Sequence, residues 1–105
     1  MTYLPESAPV LRLVGGDPTA EAEVVDALAT STSIGVLVAG AVLTGQRAPL
    51  TRATGLATTA RDRQLVALAQ AHLDGAADLF DALVRDHLAS YPDHLLAAWI
   101  ATQAH

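Results

Sequence analysis

Four histidines, His72, His87, His94 and His105, and eleven carboxylates are the side chains of this 105-residue chain that could bind a metal or move a proton. Imidazole is the usual neutral metal ligand and titrates near neutral pH, so the spacing of these groups is the first thing to test. No His-x-x-x-His or Glu-x-x-His pattern, which would place two ligands on one helix face, occurs anywhere. His72 lies on an apolar stripe with Leu65, Leu68, Ala69 and Leu73, the i, i+3, i+4, i+7, i+8 spacing of a buried helix face. It reads as a core histidine. His87 lies on the matching stripe of the next helix, with Phe80, Leu83, Val84 and Leu88. In a hairpin turning near Gly75, the residue across from His87 is about Gln64. His72 is then displaced by eight residues of helix, about 12 Å at 1.5 Å per residue. These two histidines cannot share one ion. In Asp86-His87 and Asp93-His94 the side chains are sequence neighbours, which point to different faces of a helix.

Nucleophiles are equally scarce. There is no Cys, which excludes disulfides, thiolate catalysis and Cys-ligated zinc. Ser7, Ser31, Ser33 and Ser90 fall at turns and caps, and none stands in a Gly-x-Ser-x-Gly elbow. Leu13-Val14-Gly15-Gly16-Asp17-Pro18 has the outline of a phosphate-binding turn before a helix. It lacks the Gly-x-Gly-x-x-Gly and Gly-Lys patterns, Pro18 removes an N–H donor, and Asp17 would repel the anion. The expectation is therefore no catalytic residue, no cofactor, no metal and no enzymatic activity.

The elements that carry these residues read as helices throughout. Alanine, the best intrinsic helix former, fills 22 positions, and alternating β-branched runs are nearly missing. Asp17-Pro18 is an N-cap followed by a proline suited to the first helical position. Thr59-Ala60-Arg61-Asp62 fits the capping-box pattern ahead of an apolar-periodic run. Asp74-Gly75 marks a turn, and Pro92 stops the helix that follows. Ile34 to Leu43 is apolar on nearly all sides, which predicts a deeply buried helix. Its Gly35 and Gly40 imply the close approach of a neighbour. The pattern predicts an N-terminal arm over 1–16, extended or in a short helix, and one all-helical domain over 17–105. Helices are expected at about 17–30, 34–45, 49–57, 60–74, 76–90 and 93–104.

Residues 59–92 make a helix–turn–helix unit of about 34 residues with Gly at the turn and Pro after the second helix, the period of a tetratricopeptide repeat. Ala48 to Ala98 resembles, more closely, the repeat-protein-38 branch of the tetratricopeptide-like families. The residues that carry the likeness are Thr59-Ala60-Arg61-Asp62-Arg63, Leu73-Asp74-Gly75, and Ser90-Tyr91-Pro92-Asp93 before Leu95-Leu96-Ala97. Gln64 stands where the family usually has His, and Ala67, Leu68 and Ala71 replace the signature residues of the first repeat helix. The resemblance implies an all-α fold of antiparallel helix–turn–helix hairpins, stacked as a short right-handed tetratricopeptide-like array; a helical bundle is the other architecture these elements allow. It brings no enzymatic residues with it.

Charge and hydropathy bound the partners. Six Arg, no Lys and eleven acidic residues leave a net charge of −5, which offers no basic stripe for nucleic acid. The ten-residue apolar run is far short of the roughly 20 residues of a membrane span. The first residues lack the positive and apolar regions of a signal peptide, so a cytoplasmic protein is expected. Half the residues are apolar (51%), a large share for so small a domain, which predicts burial against another chain or repeat. The expected contact surface is Leu95, Leu96, Trp99 and Ile100, with an acidic row of Asp74, Asp78 and Asp81; Phe80 is expected in the core. These readings converge on a non-catalytic interaction or scaffold module that binds a protein or peptide. A homodimer with an apolar small-ligand pocket, or an unrecognised enzymatic role, is the alternative.

Overall fold

A computed structural model describes residues 8–103, and within them the chain forms seven α-helices and no strand. Local chemistry accounts for most of the boundaries. Helix α2 (Pro18–Ala27) begins where the Asp17 carboxylate accepts from the Thr19 N–H at 2.9 Å. Helix α3 (Ile34–Thr44) is capped by Ser33, whose hydroxyl accepts from the Val36 N–H at 3.3 Å, and it ends on Gly45 at φ 74°. Helix α4 (Ala48–Leu56) has Pro49 in its first turn. Helix α5 (Ala60–Asp74) starts at the Thr59 cap, whose hydroxyl accepts from the Asp62 N–H at 3.1 Å. Gly75, at φ 69°, closes α5 in the left-handed conformation that glycine adopts without strain. Helices α6 (Ala77–Ser90) and α7 (Leu95–Gln103) follow, separated by the Pro92 turn.

The stretch expected as an N-terminal arm is helical over its described part. Helix α1 (Ala8–Val14) buries Val10 and Leu13 completely or nearly so; residues 1–7, like Ala104 and His105, lie outside the described residues. Helix α2 stops at Ala27, three residues before the expected end, because the Leu28 and Thr30 N–H groups turn back onto Val25 and Ala27 in tight turns.

The core is arranged around α3. That helix packs against α1, α2, α4, α5 and α7, and its residues 35–41 are all buried, as an apolar circumference requires. Helix α6 packs mainly on α5 and α7, at the edge of the molecule. Helix α1 meets α7, so the two described ends of the chain close on each other. The three principal extents are 33, 31 and 27 Å, a near-equal set that comes from helices gathered round a common centre. Among the described residues, no helix is long and apolar enough to cross a membrane.

Two expectations about the surface are corrected by this packing. Leu96 and Ile100 were expected at a contact surface, yet both are wholly buried. They are on the α7 face turned to the interior, where burying each side chain stabilises the fold by about 1.5–3 kcal/mol. Trp99 is half-buried and packs against the core rather than standing clear of it. Leu95 alone of that group projects, at 54% exposure.

Candidate functional site

Among the described residues, the buried polar side chains are His87 and His94, each 1% exposed. They meet where α5, α6 and α7 converge. His87 lies in the last turn of α6, and its Nδ1 is 2.9 Å from Gln64 Oε1 on α5. Its Nε2 is 2.7 Å from Nδ1 of His94, the residue immediately before α7. The Gln64 carbonyl oxygen can only accept, so His87 Nδ1 carries a proton and donates it there. In the neutral ring His87 Nε2 is then bare and accepts from the His94 Nδ1–H. Tyr91 lies against the His87 ring, with centroids 5.0 Å apart. Burial first, then electrostatic coupling to the second imidazole, His94, and to the Arg61 guanidinium, pulls the His87 pKa down from 6.5 to about 4. The result is a neutral, hydrogen-bonded chain tying three helices together, a use of buried polar groups that demands full pairing.

Hairpin counting places Gln64 opposite His87, and these two side chains do meet. The His87–His94 contact was not visible in the spacing. Seven residues separate the two, and a continuous helix would align them on one face. Pro92 interrupts that helix, so only the path of the turn, with the His94 N–H on the Tyr91 carbonyl at 3.1 Å, decides that the rings face each other. His72 is elsewhere, half-buried with its ring 5.5 Å from that of Phe80. Among the described residues no three His or carboxylate side chains gather to hold a metal.

The acidic row is split by its neighbours. Asp74 is paired with Arg47 at 2.5 Å and also accepts from Gln70 at 3.3 Å, so it belongs to a link between α4 and the end of α5. Asp78 and Asp81 are exposed on α6. Asp81 borders an open cleft of about 300 Å³, lined also by His72, Ala76, Phe80 and Gln103. The Leu79 side chain of the same helix stands 54% exposed. Phe80, one position on, is 3% exposed and belongs to the core.

A second cluster escaped the sequence reading because it joins distant segments. The Arg52 guanidinium of α4 donates to the Leu28 carbonyl and, at 2.7 Å, to the Ser31 carbonyl. These oxygens lie at and beyond the C-terminal end of α2, where helix carbonyls lose their own partners and carry partial negative charge.

The molecule is thus an all-helical domain with a buried histidine pair and an exposed edge helix. Compared with protein-family models, with curated proteins and with solved structures, the chain matches none.

Proposed function

We propose that this chain is a non-catalytic interaction module whose edge helix α6 binds a basic, amphipathic helical segment of another protein. The observation that carries the reading is Leu79, more than half exposed on a helix that also exposes the carboxylates of Asp78, Asp81 and Asp86, the last in line with it two turns on. An apolar anchor on an acid-bearing helix suits a partner helix that offers leucines on one face and lysines or arginines beside them. Helix α6 is packed mainly on α5 and α7, which leaves its outer side available along its length. Leu95, equally exposed at the start of α7, adds apolar surface at the other end of the same two-helix unit. The net charge of −5 steers a basic partner toward it.

The architecture behind the module is a helical bundle that includes a tetratricopeptide-like hairpin. The α5–Gly75–α6 unit, with Pro92 after it, supports the hairpin resemblance; the central position of α3 favours a bundle over an open stack. On this reading the protein is cytoplasmic and works without cofactor or metal.

A second copy of the chain is the other reading, favoured by the high apolar content (51%), with the cleft beside Phe80 as its small-ligand pocket. The test titrates Trp99 fluorescence anisotropy with a Lys/Leu amphipathic peptide and with its Glu/Leu counterpart. Saturable binding of the Lys peptide alone, lost in Leu79→Glu, is the expected result. Equal binding of both peptides, or binding that survives Leu79→Glu, overturns it. Light scattering over a concentration series that shows a stable dimer, split by Leu79→Glu, moves the edge to self-association.

A further inference from the structure

The docking edge makes no use of the two imidazoles beneath it. Their hydrogen bonds run from Gln64 on α5, through His87 on α6, to His94 at the entry to α7, at 2.9 and 2.7 Å. Both rings are 1% exposed, so water cannot replace a lost partner without the corner opening.

Proton counting shows how narrow the tolerance is. One added proton makes His87 a double donor, and His94 must then shift to its Nε2–H form to accept through Nδ1. A second proton sets two N–H groups against each other across 2.7 Å, and no hydrogen bond remains. The groups facing His87 oppose even the first proton. Arg61 bears on it from α5 and His94 from the α7 side, both disfavouring positive charge. The Tyr91 ring, at the end of its own helix, lies 5.0 Å from the His87 ring. The adjoining carboxylates, Asp86 and Asp93, are exposed to solvent.

We propose that Gln64, His87 and His94 form an acid-sensitive latch. Neutral, it holds the α6–α7 corner on α5; protonated, it releases that corner and uncovers the apolar face of α7. The released face includes Leu96, Ala97 and Ile100, all wholly buried when the latch is closed. The remaining helices keep the core around α3, with Leu37, Leu50, Leu65 and Leu68. The fall of the His87 pKa from 6.5 to about 4 corresponds to roughly a 300-fold change in the latch equilibrium.

Trp99 is the single tryptophan and lies on α7, so its emission reports the corner while far-ultraviolet circular dichroism reports all the helices. On acidification from pH 7.5 to 4, the Trp99 emission is expected to shift to the red before helicity is lost. In His94→Gln, where a non-titrating amide replaces one ring, that shift moves to lower pH; in the control His72→Gln it stays. Coincident loss of both signals in the wild type, or an unmoved shift in His94→Gln, overturns the latch. Imidazole nitrogen NMR of the wild type decides the matter without any variant. His87 is expected to keep a protonated Nδ1 and a bare Nε2 down to about pH 5, and titration at 6.5 or above overturns the proposal.

Discussion

A β-carbon added to Gly40 would lie 2.6 Å from Leu28 Cγ, because the Leu28 side chain, just past the end of α2, sits directly on the backbone of α3. The absence of a side chain at position 40 is what lets α2 approach the central helix. Glycine inside a helix costs about 1 kcal/mol relative to alanine, and here that cost is offset by the burial of Leu28, which is 9% exposed.

Gly40→Ala is expected to destabilise the fold, since overpacking costs about 1–3 kcal/mol and outweighs the gain in helix propensity. Urea denaturation of Gly40→Ala, Leu28→Ala and the double variant provides the check. The double variant should lose clearly less than the sum of the singles, because the alanine at 40 fills space vacated at 28. Strict additivity would mean that the two residues do not share this site.

Stability should depend on pH through His87. Its folded pKa, about 4, lies below the ordinary 6.5, so between these values the unfolded chain binds the proton that the folded chain refuses. The stabilisation is complete above pH 6.5 and is lost as pH falls through that interval, by about 3 kcal/mol at its lower end. Urea midpoints measured at pH 7.5, 6, 5 and 4.5 should fall steadily, and the slope should flatten in His87→Asn.

Thr59→Ala removes the side chain that accepts from the Asp62 N–H at the start of α5. A loss of about 1 kcal/mol is expected. Thr59→Asp, which restores an acceptor and places negative charge at the helix N-terminus, should recover most of it. Thermal unfolding of the two variants side by side gives the comparison.

Arg52→Met keeps the aliphatic stem and removes the donors to the Leu28 and Ser31 carbonyls. The guanidinium is exposed, so the cost should be modest, about 1 kcal/mol. The effect should be local as well: amide hydrogen exchange is expected to quicken in the loop between α2 and α3 while the α5 amides keep their protection. Uniform acceleration across all helices would show that Arg52 supports the whole fold instead.

Phe80→Ala should cost about 3–5 kcal/mol, since Phe80 is 3% exposed within the core. Leu79→Glu, one residue away on the outer side of α6, should shift the urea midpoint by no more than about 0.5 kcal/mol. That contrast separates the structural face of α6 from its proposed binding face by denaturation alone.

Helix content was written locally in this chain, because caps, turns and apolar periodicity act within a few residues. Asp17-Pro18, Thr59 with Asp62, and Gly75 each stand at a helix end in the structure, and the apolar circumference of residues 34–43 predicts the burial that α3 shows. Gln64 faces His87 because a hairpin has a countable register. The faces of α7 were not legible in this way. Leu95, Leu96, Trp99 and Ile100 leave few polar residues to mark an outside, so only the positions of α1 and α3 decide that Leu96 and Ile100 turn inward while Leu95 projects. The His87–His94 bond and the Arg52 tie depend on how the chain turns at Pro92 and on how α4 passes the end of α2. Such contacts join segments whose relative placement is set by the whole core, and no local pattern encodes it.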